Sequence, residues 1–160
     1  MPVPEFIVEL RSHVGHAQLW LPGVTALVQD DAGRLLLGQR ADSGRWALPS
    51  GIPDPGEGMA AAIAREVREE TGVSVAVEAL IAVHTVPPIT YPNGDVTAYV
   101  DHLFRCRYLD GEAHVADDES LDVGWFAPDE LPEPLAKRTP GLLSWAAEHA
   151  STGRTYFDPV

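Results

Sequence analysis

Cysteine is almost absent from this chain. Cys106 stands alone, which excludes an internal disulfide and any zinc site built from several thiolates. Its setting, HLFRCRY, has the pattern of a strand, so a buried structural thiol is expected in preference to a reactive one. Basic residues are scarce too: 11 Lys and Arg face 24 Asp and Glu, for a formal charge of −13. A surface so negative repels nucleic acid and anionic membranes and argues against both as partners. It also repels a free nucleotide unless cations mediate. No apolar run approaches the roughly 18–20 residues of a membrane span. The opening MPVPEFIVELRSH lacks a basic segment followed by an apolar one, so no signal peptide is expected. These absences together fit a reducing, cytoplasmic setting. What is present is ordinary for a globular protein: 45% hydrophobic and 22% charged residues. A length of 160 residues suits a single domain over 1–160.

Local patterns give an α/β order. Residues 4–13 suggest a short helix resting on the body through Phe6, Val8 or Leu10, within an N-terminal extension over 1–20. Val24–Val28 and Arg34–Gln39 read as strands around a DDAG turn. The Gly- and Pro-rich stretch ADSGRWALPSGIPDPGEG is loop, with a brief strand at Trp46–Leu48. Met59–Thr71 is the firmest helix: it carries three consecutive alanines, follows Glu57 and stops at Gly72. Val73–Thr85 alternates as a strand, and YPNGD is the tip of a hairpin that continues through HLFRCRY. DGEAHVADDESLD is polar loop and VGWFAP a short strand. DELPEPLAKR and PGLLSWAAEHA are expected as short helices, the second opening a C-terminal helix and tail over 141–160.

The acidic residues of the firm helix carry the chemistry. Glu66, Glu69 and Glu70 stand at i, i+3 and i+4, so their carboxylates share one stripe, and Glu57 enters from the preceding loop. Like charges at that spacing destabilise an isolated helix by a few tenths of a kcal/mol per pair. A solvated acidic face is the bland explanation. Against it, Ala61, Ala62, Ile63, Ala64 and Val67 form an apolar side that packs on a sheet while the glutamates point elsewhere together. Oxygen ligands so gathered suit a hard divalent cation, and Mg2+ typically takes one or two carboxylates, waters and substrate phosphates.

The stretch GIPDPGEGMAAAIAREVREETGV, residues 51–73, resembles the signature of the Nudix hydrolases, G-x5-E-x7-R-E-U-x-E-E-x-G-U with U aliphatic. Gly51, Glu57, Arg65, Glu66, Val67, Glu69, Glu70, Gly72 and Val73 match at the required spacing. GRLLLGQR, WALPSG and DESLDVGWFAPDELP also look like the family's flanking segments. The resemblance implies an α/β/α sandwich with a mixed β-sheet between helices. It implies Mg2+- or Mn2+-dependent cleavage of a small nucleotide, in which a nucleoside diphosphate is linked to another moiety. ADP-ribose or a nucleotide sugar heads the substrates, followed by nucleoside triphosphates and dinucleoside polyphosphates. A catalytically silent nucleotide-binding module on the same fold and a plain divalent-metal binder are the rivals.

Carried over by residue, Glu66, Glu69 and Glu70 are the metal carboxylates. One of them, or a nearby loop acid, activates the water. Arg65 orients a neighbouring glutamate, and Glu57 holds the loop and reaches metal through water. Gly51 and Gly72 serve loop and helix-end geometry. Glu119, six residues before Trp125, resembles an extra loop glutamate that binds metal or acts as base; Asp117 and Asp118 compete for that role, as does simple solvation. Arg40 and Arg45 flank the loop and could meet a phosphate or only solvent. Trp20, Trp46 and Tyr91 could stack on a base, although packing is the commoner role. His84 and His102 read as core histidines. Ser50 replaces the family's usual Gly, which matters only if the position needs positive φ. A homodimer through the N-terminal segment or LLSWAAEHA is compatible with the family.

Overall fold

The structure, a computed structural model, describes residues 4–159; Met1–Val3 of the expected extension and Val160 of the tail lie outside the described residues. Elements follow the order α1 (Glu5–Val14), β1 (Leu19–Gln29), β2 (Leu35–Arg40), β3 (Trp46–Ala47), β4 (Ser50–Gly51) and α2 (Met59–Thr71). Then come β5 (Ser74–Thr90), β6 (Val96–Asp110), β7 (Ser120–Phe126), α3 (Thr139–Thr152) and β8 (Tyr156–Phe157). One mixed sheet runs β3-β2-β1-β6-β5-β8, with β4 alongside β1 and β7 alongside β2. β1 and β6 are parallel from Leu19↔Thr97 to Gln29↔Arg107. β5 and β6 form the expected hairpin, closed at Tyr91–Asp95 by a Tyr91 N–H bond to the Asp95 carbonyl and by Gly94 at φ +90.

Strand alternation explains why both faces of this sheet are covered. Along β1, Val24, Ala26 and Val28 point to α2 and meet Ala62, Ile63 and Val67. Leu27 points the other way and joins Leu35, Leu37, Ile81, Leu103 and Leu142 of α3. A strand buried on both sides reads as a nearly continuous apolar run, as LPGVTALV does. The result is helix, sheet, helix. Cys106 lies fully buried in the α2 layer, and burial pushes its thiol up to about 12. Among the described residues no helix is long and apolar enough to cross a membrane.

Three local expectations need correction. DELPEPLAKR is not a helix: Pro132 and Pro134 remove N–H donors and disfavour helical angles just before them. The segment instead runs beside β3, where Trp46 donates to the Pro134 carbonyl at 2.9 Å and accepts from Ala136 N–H at 2.7 Å. The tail gains a strand, β8, parallel to β5 at Ala82↔Tyr156 and Val83↔Phe157. On α1 the buried residue is Ile7, whereas Val8 and Leu10 are exposed. Arg11 ties that helix to the sheet by donating to the Val96 carbonyl and to Thr97 Oγ1.

Candidate active site

The short strand β4 brings the motif loop against α2. It is pinned to β1 at Val24↔Gly51 and Thr25↔Ser50, so Gly51 lies directly over the helix. A side-chain carbon on Gly51 would sit 2.0 Å from Glu66 Cδ, so only glycine allows the carboxylate this close. Glu66 is fully buried there, and its Oε2 has no hydrogen-bond partner. Ser50 does not adopt a positive φ, so the substitution of the usual glycine carries no backbone strain.

Arg65 is the hub of the acidic face. Its Nε donates to Glu57 Oε1 at 3.0 Å and its Nη2 to Glu57 Oε2 at 2.8 Å. Its Nη1 donates to Glu66 Oε1 and to Glu69 Oε2, both at 3.1 Å. Glu57 also accepts the Asp54 N–H at 3.0 Å, which fastens the loop to the helix. Bonding from Arg65 holds the Glu57 carboxyl below its usual range.

The three helix glutamates therefore do not share one environment, as the simple helical stripe suggested. Glu66 points inward under Gly51, and burial outweighs the attraction of Arg65, raising its pKa to about 7. Glu69 points outward, with its side chain 46% exposed beside Arg65. Glu70 lies deep in a small cleft with Gly38, Arg40, Leu48, Ser50 and Glu119. Burial, then the charges of Glu66, Glu119 and Asp117, raise its pKa to about 8, against a weaker pull from a Ser50 backbone hydrogen bond.

The structure places Glu70 and Glu119 on the same cleft, although 49 positions separate them in the chain. Arg40 belongs to the same cleft, where Asp42 holds it through a 2.6 Å ion pair. Arg45 is exposed and donates to the Leu135 carbonyl at 3.1 Å, away from the cleft. Trp46 is buried, with its ring edge-on to Phe126 at 4.9 Å, a packing role that replaces base stacking. Trp20 is 70% exposed on β1, and the Tyr91 hydroxyl meets that of Tyr99 at 2.8 Å. His102 Nδ1 bonds the Gly23 carbonyl at 3.0 Å.

Sequence reasoning missed a second buried carboxylate, Asp101. It accepts from Thr25 Oγ1 at 2.9 and 3.1 Å, from Arg138 Nη2, and faces His84 Nε2 at 3.2 Å. An apolar strand interrupted by a lone aspartate was the available signal.

The donor set fits a divalent cation. Carboxylates are hard oxygen ligands, Glu66 keeps a buried oxygen without a partner, and the acids raise each other's pKa despite Arg65, as crowded acids do. Among the described residues, no three potential ligands already stand close enough to enclose an ion.

The NUDIX domain family model matches residues 19–146. The chain belongs to the Nudix family. Its relatives include a MutT-like protein of Streptomyces ambofaciens, 36% identical over 71% of this chain and 68% of that protein. A putative 8-oxo-dGTP diphosphatase of Bacillus subtilis is 32% identical over 71% of each chain. Among solved structures, a UDP-X diphosphatase superposes with a TM-score of 0.70 at 27% identity, covering 96% of this chain and 74% of that one. The α/β/α architecture is thus the Nudix fold, α2 is its signature helix, and the protein is a pyrophosphohydrolase.

Proposed function

We propose that this Nudix pyrophosphohydrolase cleaves a nucleoside diphosphate linked to another moiety, of the ADP-ribose or nucleotide-sugar type, and releases a nucleoside monophosphate. The observation that carries the reading is the pairing of Glu66 and Glu70: two neighbouring acids, both held short of countercharge beside a cleft. Mg2+ or Mn2+ bound by Glu66, Glu69 and Glu70, with Glu57 at one remove, would supply charge neutralisation of the diphosphate and a more acidic water.

The protein's own residues do the rest. Glu119, which lines the same cleft as Glu70, accepts the proton of the attacking water and orients its oxygen towards phosphorus. The new P–O bond forms as the anhydride P–O bond breaks, and the leaving phosphate departs with the electron pair. Arg65 fixes Glu57, Glu66 and Glu69, and Arg40 meets a phosphate oxygen across the cleft. Phosphoryl transfer of this kind is a matter of positioning and charge, so no Ser or Cys nucleophile is required. Likeness to the UDP-X diphosphatase over nearly the whole chain supports the diphosphate-X class.

A second reading, nucleoside triphosphate hydrolysis, is favoured by the Bacillus subtilis relative. A panel of ADP-ribose, UDP-glucose, 8-oxo-dGTP, dGTP and diadenosine tetraphosphate, each with Mg2+, separates the two. Release of AMP or UMP from the first pair at the highest kcat/KM, abolished by EDTA, is the expected result. Preference for the triphosphates replaces it with the second reading. Inertness towards every member with Mg2+ and Mn2+ removes both.

A further inference from the structure

The segment between β6 and β7 is seated on the C-terminal end of α2. The last carbonyls of a helix have no partner within it, and here the segment supplies them. His114 N–H donates to the Thr71 carbonyl at 3.1 Å, and Ala116 N–H to the Glu70 carbonyl at 3.3 Å. The imidazole of His114 lies against Gly72, where an added side-chain carbon would fall 2.2 Å from its Cε1. Glycine is favoured at the helix end by its φ of +73, and its lack of a side chain leaves room for this ring. His114 Nδ1 donates to the Glu112 carbonyl at 2.7 Å, which fixes the ring plane. Gly111, at φ +98, comes so near that a side-chain carbon would lie 2.4 Å from the Gly72 carbonyl oxygen.

The far end of the segment is pinned as well. Ala41 N–H donates to the Glu119 carbonyl at 2.7 Å, and Glu119 N–H donates to Asp117 Oδ1 at 3.0 Å. Glu70 is thereby engaged twice: its carbonyl holds the segment at Ala116, while its side chain lines the cleft that Glu119 also lines.

We propose that residues 111–119 act as a strap across the end of the signature helix, and that His114 is a positioning residue that sets Glu119 opposite Glu70. The inference rests on the reading of Glu119 as the group that orients water. Without the ring on Gly72 the segment keeps its two backbone bonds to the helix but loses the side-chain contact that seats it there, and a displacement near 1 Å at Glu119 is enough to slow positioned chemistry.

A double-mutant cycle between His114→Ala and Glu119→Gln tests it, on the panel nucleotide cleaved fastest with Mg2+, reading kcat, KM and thermal melting. Glu119→Gln alone is expected to lower kcat about 100-fold. If it does not, the role of Glu119 fails, and the strap's purpose with it. His114→Ala is expected to lower kcat about tenfold with KM within about twofold of the parent. On the Glu119→Gln background it is expected to cost less than about twofold, because both changes then remove one function. A cap with only a structural role lowers melting and leaves kcat of the folded enzyme intact. That result, or an equal loss of kcat on both backgrounds with Glu119→Gln impaired, overturns the strap alone. Should His114→Ala lose cooperative melting, His114→Gln is carried through the same cycle against the same outcomes.

Discussion

Among the described residues, Glu66 and Asp101 are the two carboxylates with the least exposure, and the protein treats them in opposite ways. Asp101, on β6, is 3% exposed and faces partners from three parts of the chain: Thr25 on β1, His84 on β5, and Arg138 just before α3. Burial raises its pKa, yet His84, Arg138 and Thr25 outweigh that, and the group stays below its usual value. Glu66 is fully buried with one shared guanidinium and an oxygen left without a partner, and its pKa rises to about 7. Enclosure is the same in both places; the supply of donors differs. A carboxylate that the fold has finished satisfying is a structural tie, whereas one left short of positive charge is prepared for a cation that arrives later.

The sharpest break in this contrast is expected at Asp101. Asp101→Ala leaves the buried His84 and Thr25 without their acceptor, while the half-exposed Arg138 can turn to water, and leaving buried donors unsatisfied costs about 1–3 kcal/mol. Chemical denaturation is expected to show that loss, while kcat per folded molecule stays within about threefold because none of these partners reaches the cleft. Glu66→Gln is expected to behave inversely. Steady-state kinetics with Mg2+ should show a fall of at least about 100-fold in kcat/KM, as for disruption of a metal shell, with metal-free melting unchanged or slightly raised. Equal behaviour of the two variants in both assays erases the distinction between tie and seat.

The smallest effect concerns pH. Glu66 and Glu70 start from an ordinary value of 4.5 and rise to about 7 and about 8 on folding. The folded state therefore binds more protons than the unfolded one between those limits. Their contribution to stability is full below about pH 4.5 and is lost as pH climbs through 7 and 8. Melting of the metal-free protein is expected to fall between pH 5 and 8 more steeply than in a Glu66→Gln, Glu70→Gln variant. Mg2+ should restore more at pH 8 than at pH 6, since the cation takes deprotonated oxygen. A flat difference between parent and variant across that range removes the claim that burial and neighbouring acids hold these two groups above their ordinary value.

How much of this was legible beforehand differs by element. The signature helix was readable to the residue, because Ile63 and Val67 sit one turn apart on the buried side and Gly72 ends the run in a left-handed conformation. The pairing of Glu119 with the helix acids came from the family resemblance, and spacing alone did not distinguish it from Asp117 or Asp118. The Asp101 cluster depended on strand register: Gly23↔Asp101 and His84↔Asp101 are matched by the sheet, and no local pattern announces either. Trp46 was weighed between base stacking and packing, and the structure buries it with its ring against Phe126. The DELPEPLAKR segment was misread as helical, since its prolines favour extended backbone. The tail strand was unreadable because two residues, Tyr156 and Phe157, are too few to show alternation.

The solitary thiol has a practical consequence. Cys106 sits wholly enclosed between the signature helix and the sheet, so an alkylating reagent meets it only when those two layers separate. The enzyme thus carries an intrinsic gauge of how often its catalytic helix lifts away, readable without adding any label or altering any residue.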